Sequence, residues 1–159
     1  MKKTIFTLLF ILGAVISFKA QENDSSFTKL YENYLQLKNA LVSDNSTEVS
    51  KAAIGFAQAT SAIDFKIISE GNISILRKDA TAISQSKNIT TQRNYFYNLS
   101  KNMIEIAKRF PLTSETIYVQ YCPMAEGYWM SDEKEIKNPY YGAQMLSCGS
   151  VELEIKKPE

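Results

Sequence analysis

Two short stretches carry the residues able to do chemistry: Cys122-Pro123-Met124 and Met145-Leu146-Ser147-Cys148. In an extended segment, residues two apart project to the same side, so Cys122 and Met124 can point at one ion. Met145 and Cys148, three apart, come together on one helical turn or tight bend. Two thiolates and two thioethers with no imidazole make a soft donor set. Such a set selects Cu(I), with Ag(I) as its chemical relative, over calcium, magnesium or manganese. Zinc accepts the thiolates but gains little from a thioether. Met130 would be a spare thioether. Trp129 could lay its ring face beside a cation, although its large apolar area suits a packing anchor better.

The same cysteines support a second reading. Exported chains commonly oxidise a pair of cysteines, and a Cys122–Cys148 disulfide would close the intervening loop. Methionine is also a common filler of core gaps. Against this stands co-location. Apart from Met1, three of the remaining four methionines lie between the cysteines, and two flank them at ligand-compatible spacing. Two functions therefore stand open. One is an exported, non-enzymatic Cu(I)-binding protein for sequestration or delivery to an efflux partner. The other is a disulfide-stapled protein–protein interaction module without metal.

Composition narrows the field further. Histidine is absent from the 159 residues, which removes Ser-His and Cys-His nucleophile pairs, imidazole bases and the usual zinc and iron sites. The sequence points away from an enzyme and from any organic cofactor. Lys2 and Lys3 precede an apolar run from Ile5 to Phe18, with a cut expected after Ala20, so residues 1–20 read as an export signal. Phe18 departs from the small-residue rule at that site, which leaves room for the cut to slip. The first twenty residues hold three lysines and no acid, so of 18 basic and 17 acidic residues the remaining chain keeps 15 and 17. A slightly acidic chain has no basic stripe for phosphates, which argues against nucleic acid. No second apolar run reaches membrane length, so the product is expected to be soluble, in the periplasm or outside the cell.

Positioning the sulfurs is the task of a single domain over 21–159, mainly α: an up-and-down four-helix bundle over about 25–111 with a C-terminal β-hairpin and loop over about 115–156. Phe27, Leu30, Tyr31, Tyr34, Leu35, Lys38 and Leu41 form a helical stripe interrupted only by the lysine. Asn45 starts a second helix carrying Val49, Ala52, Ala53, Phe56, Ala57 and Ile63, with Gly71 as its stop. A third carries Ile73, Leu76, Ala80 and Ile83. The fourth carries Tyr95, Phe96, Leu99, Met103, Ile106, Ala107 and Phe110 before Pro111. Short polar connections favour antiparallel neighbours. Asp64, Glu70 and Asp79 read as solvated surface, and Arg93 as either solvent-facing or reaching the C-terminal segment.

After Pro111 the texture changes. Ile117–Cys122 and Val151–Ile155 alternate as strands and are expected to pair as an antiparallel ribbon joined by a long loop. Ile117, Val119 and Tyr121 would face the bundle, as would Val151, Leu153 and Ile155. By parity Cys122 shares a face with Tyr118 and Gln120, and Cys148 is in phase with Glu152 and Glu154. Both cysteines should then emerge on the outer face, beneath the loop. Asn138-Pro139-Tyr140-Tyr141-Gly142 reads as a structural clasp. Proline and glycine would set its turns, with the tyrosine rings on the bundle and their hydroxyls on backbone.

These segments carry a resemblance. Val119-Gln-Tyr-Cys-Pro-Met-Ala125, Tyr128-Trp-Met-Ser131, Ile136-Lys-Asn-Pro-Tyr-Tyr-Gly142 and Met145-Leu-Ser-Cys-Gly149 resemble a bacterial family catalogued as a domain of unknown function. Its members have a helical domain ending in a Cys-Pro-Met … Asn-Pro-Tyr-Tyr-Gly … Met-Leu-x-Cys-Gly signature. Tyr34–Leu41 is similar to the family's opening helix, and Gln92-Arg93 to its Arg-containing last helix. The family occurs as free exported proteins and fused to periplasmic adaptor subunits of heavy-metal efflux systems. The Cys-Pro-Met is also similar to that of small heavy-metal-binding modules of copper ATPases, with Ala125 standing where those often have histidine. Carried over residue by residue, the resemblance implies Cys122, Met124, Met145 and Cys148 as metal ligands. It also implies a part in copper or heavy-metal handling, with an efflux adaptor as partner.

Overall fold

The computed structural model describes residues 25–64 and 66–156; the export signal expected over 1–20 lies outside them. Helix α1 spans 25–42, α2 Ser46–Ala59, α3 Glu70–Gln85 and α4 Ile89–Ala107, followed by strands β1 Ile117–Cys122, β2 Gly127–Ser131 and β3 Ser150–Ile155. Each helix buries most of the stripe its spacing dictates; Tyr95, expected in the fourth, is instead exposed. From α1 come Phe27, Leu30, Tyr31, Tyr34, Leu37 and Leu41, and from α2 Val49, Ala53, Phe56 and Ala59. The other two supply Ile73, Leu76, Ala80 and Ile83, and Phe96, Leu99, Met103 and Ile106. The helices run up and down. Arg93 near the start of α4 donates to the Leu41 carbonyl near the end of α1, while Phe27 at the opposite end stacks on Phe110 at 5.3 Å.

The caps explain the boundaries. The Asn45 side chain accepts the N–H groups of Thr47 and Glu48 at the start of α2, and Asn88 accepts that of Thr91 at the start of α4, satisfying donors that a helix leaves unpaired. Gln92 ties the same end of the bundle. Its amide nitrogen lies 3.0 Å from the Ser46 carbonyl and 2.8 Å from that of Ser86, joining α2, α3 and α4. Gly71 is not the stop expected for α2. That helix ends in a 3-10 turn at Thr60–Ala62, and Gly71 sits in the first turn of α3.

Two polar residues expected elsewhere are buried. Asp79 is in the core-facing stripe of α3 instead of in solvent, where it accepts a hydrogen bond from Asn98, and burial raises its carboxyl above the usual range. Lys38 does not interrupt the buried stripe of α1 but lies within it. Burial lowers its ammonium, and the nearby Asp132 and Glu133 charges oppose that shift. The buried ammonium thus lies within electrostatic reach of the acids on the loop after β2.

The sheet has three strands in the order β2-β1-β3, all antiparallel. The expected pairing of the first and last strands is present, but the intervening stretch is not all loop, because Gly127–Ser131 folds back as β2. The signal was available, since Tyr128, Trp129 and Met130 suit a strand and Pro123–Glu126 make a four-residue turn closed by the Glu126 N–H to the Pro123 carbonyl. It is β2 that meets α4, and the Met130 N–H donates to the Tyr34 hydroxyl at 2.9 Å. Consequently β3 is displaced outward. Ile155 and Leu153 keep register with Ile117 and Val119 on the bundle side, where Ile155 packs on the core and Leu153 is 42 % exposed. A bulge between Val119 and Gln120 turns Val151 (36 % exposed) to the Gln120 face.

Candidate metal centre

Cross-strand partners share a face of a sheet, so the register sorts the C-terminal residues into two sets. Val119 and Met130, paired across β1 and β2, are buried toward the bundle. Gln120 and Trp129 pair on the opposite face, which the loop after β2 covers. The Gln120 amide nitrogen lies 2.9 to 3.2 Å from the carbonyls of Glu133, Lys134 and Glu135. Cys122 is in phase with Gln120, as parity requires, and the Cys148 sulfur meets it there at 3.7 Å. Both sulfurs lie on one side of the sheet, beneath the loop, as free thiols.

Cys122 ends the central strand and is 0 % exposed, while Cys148 is half-buried on the returning loop. The two methionines flanking them behave unlike the others. Met103 and Met130 are buried in the core, so Met130 is no spare ligand. Met124 (63 %) and Met145 (39 %) are exposed. Apolar thioethers held in solvent on the two loops that carry the thiols are not gap-fillers. Met124 occupies the β1–β2 turn, and the Tyr141 hydroxyl donates to its carbonyl. Met145 opens the turn closed by the Cys148 N–H. Trp129 is wholly buried and meets Tyr140 edge-on at 6.0 Å, a packing anchor.

The clasp is built as its sequence suggests, and Asn138 is its centre. Its side-chain oxygen accepts the N–H groups of Tyr140 and Tyr141, and its amide nitrogen donates to the Cys148 carbonyl at 2.9 Å. Its backbone N–H donates to the Leu146 carbonyl. Tyr140 is buried against Phe96, Tyr97 and Trp129, with its hydroxyl donating to the Tyr128 carbonyl. Gly142 adopts φ +55°, and a side chain there would strike the Asp44 carboxylate and the Arg93 guanidinium. At Gly149 (φ +144°) a Cβ would meet the Tyr121 carbonyl at 2.7 Å and Trp129 at 2.9 Å. The residue after Cys148 must therefore be glycine for the loop to close on β1.

Arg93 reaches the C-terminal segment. It donates to the Pro139 carbonyl at 2.9 Å and pairs with Asp44, whose second oxygen accepts the Ala143 N–H at 2.8 Å. The Ala143 hydrogen bond and then Arg93 hold the Asp44 carboxyl below its usual value of 3.8. A depressed carboxyl contributes stability in full above its ordinary value and loses it as pH falls through the lowered one. The stability difference between the wild type and Asp44→Asn is thus expected to be constant from neutral pH down to about 4 and to shrink below it, measured by urea unfolding. A difference independent of pH down to about 2 would show that the pair does not secure the clasp.

The thiol separation tests whether one ion fits. With metal–sulfur bonds of about 2.3 Å, sulfurs 3.7 Å apart subtend roughly 110° at the ion, whereas a linear two-coordinate ion needs about 4.6 Å. An ion held at this spacing would be three- or four-coordinate and would need further donors. Among the described residues no group of three or more thiol, imidazole or carboxylate side chains assembles. The hydrogen bond it shares with Cys122 holds the proton on the Cys148 thiol and raises it above the usual 9.0, so a bound ion would have to displace that proton.

The architecture is that of a four-helix bundle carrying a small antiparallel sheet. Residues 30–115 match the model of a family described as protein of unknown function (DUF3347), and the chain belongs to that family. The match covers the bundle and ends just before β1, so the thiol-bearing segment lies beyond it. No curated protein and no solved structure matches the chain. Among the described residues no helix is long and apolar enough to cross a membrane.

Proposed function

We propose that this is an exported soft-metal-binding protein that holds Cu(I), or Ag(I), through Cys122, Met124, Met145 and Cys148, with a binding and not a catalytic role. The observation that carries the reading is the pair of thiols 3.7 Å apart, flanked on their own loops by the two exposed methionines. Thiolate and thioether together favour a monovalent soft ion. The C-terminal Cys-Pro-Met … Met-Leu-Ser-Cys-Gly pattern and its resemblance to domains fused to heavy-metal efflux adaptors support sequestration or delivery to such a partner, in the periplasm or outside the cell.

The test is a Cu(I) titration of the reduced protein against a competing chelator, with Met124→Leu and Met145→Leu beside it. Both side chains are exposed and the swaps conserve volume, so folding should be unaffected. Each variant is expected to bind about tenfold more weakly, equivalent to 1.4 kcal/mol. Unchanged affinity in both would discard the four-ligand site.

A further inference from the structure

We infer that Cys122 and Cys148 are a redox pair whose closure to a disulfide switches the metal site off, with Cys148 meeting the oxidant and Cys122 resolving. The switched property rests on the proposed metal site; the order of reaction rests on the pair's geometry alone. A disulfide needs its sulfurs about 2.05 Å apart, so the observed 3.7 Å must shorten by less than 2 Å. The two thiols differ in how they can be reached. Cys122 ends the central strand, paired to β2 on one side, and is fully buried, whereas Cys148 is half-buried and lies just outside β3. Closure therefore falls to the Cys148 loop.

The oxidant is a disulfide, either a small thiol's or a protein's. The Cys148 thiol gives up its proton and attacks one sulfur. The oxidant's S–S bond breaks, a mixed disulfide forms on Cys148, and the departing thiolate takes the proton. Cys122 then loses its proton and attacks the Cys148 sulfur, forming Cys122–Cys148 and releasing the second thiol with that proton. Two protein thiols are oxidised and one disulfide is reduced to two thiols. The product has lost both thiolate donors, and two thioethers alone make a far weaker site. The metal and disulfide readings of the sequence thus become two states of one pair.

The experiment uses glutathione disulfide on the reduced, metal-free protein, followed by mass spectrometry of the cysteine peptides. Alkylation of the wild type should label Cys148 at least about tenfold faster than Cys122, following exposure. Cys122→Ser should accumulate a glutathione adduct on Cys148, Cys148→Ser should stay unmodified, and the wild type should proceed to the internal disulfide. Protein loaded with Cu(I) should then release the ion to a chelator in step with disulfide formation. Equal or faster labelling of Cys122, a wild type that stalls as the mixed disulfide, or oxidised protein that retains Cu(I) as tightly as reduced protein would overturn the inference. If reduced protein binds no Cu(I), the proposed function fails, while the labelling order and disulfide closure are still decided on metal-free protein. The alkylation order is read on unaltered protein, so a variant that misfolds does not remove the test.

Discussion

Asn138→Ala is expected to destabilise the protein by about 3 kcal/mol, because it strips partners from several buried backbone groups at once. The Tyr140 and Tyr141 N–H groups lose their acceptor, and the Cys148 carbonyl loses its donor. Each buried polar group left unpaired costs about 1–3 kcal/mol. A loss of that size should lower the melting temperature by about 10 °C in a chain of this length. Asn102→Ala serves as the control: its half-buried side chain donates to the Asn98 carbonyl one turn back, so a change within about 0.5 kcal/mol is expected. Thermal unfolding followed by circular dichroism reads both. Equal melting temperatures for the two variants would mean that Asn138 does not secure the loop.

The second large effect concerns the thiols. Serine is a hard, neutral donor, so Cys148→Ser is expected to weaken Cu(I) binding by at least about a hundredfold, the upper end of the loss seen when a mere outer-shell partner is removed. Cys122→Ser should do the same. Cys148 gives the cleaner comparison because it is half-exposed, whereas a hydroxyl in place of the fully buried Cys122 also disturbs packing. Competition titration with a Cu(I) chelator measures both. If either serine variant binds within about threefold of the wild type, the ion sits elsewhere.

The sequence carried much of this. Spacing alone placed four amphipathic helices, because each buried stripe repeats with the helical period. Parity along β1 put Cys122 on the Gln120 face, and the two sulfurs do meet beneath the loop. The clasp was legible from Asn138 to Gly142 because its proline, glycine and tyrosines each have a specific conformational or bonding use. The strand β2 was missed since proline and glycine on either side gave the stretch the look of a loop. Its presence decided the packing: β2, not β3, takes the place against α4, and Val151 and Leu153 are left in solvent. Burial of Asp79 and Lys38 was equally hidden, because residue type predicts exposure for both. Their partners, Asn98 on α4 and the acids after β2, are distant in sequence.

The outward placement of β3 leaves the sheet with an open margin. The outer backbone groups of Ser150–Ile155 have no neighbouring strand, which is ordinarily an invitation to indefinite stacking between molecules. Here the margin alternates Val151-Glu152-Leu153-Glu154-Ile155. Two copies laid antiparallel about Leu153 would set each Glu152 against the other molecule's Glu154, and facing like charges repel. The glutamates, with Lys134 beside Glu154, would act as fenders against such stacking along a strand so close to the thiols.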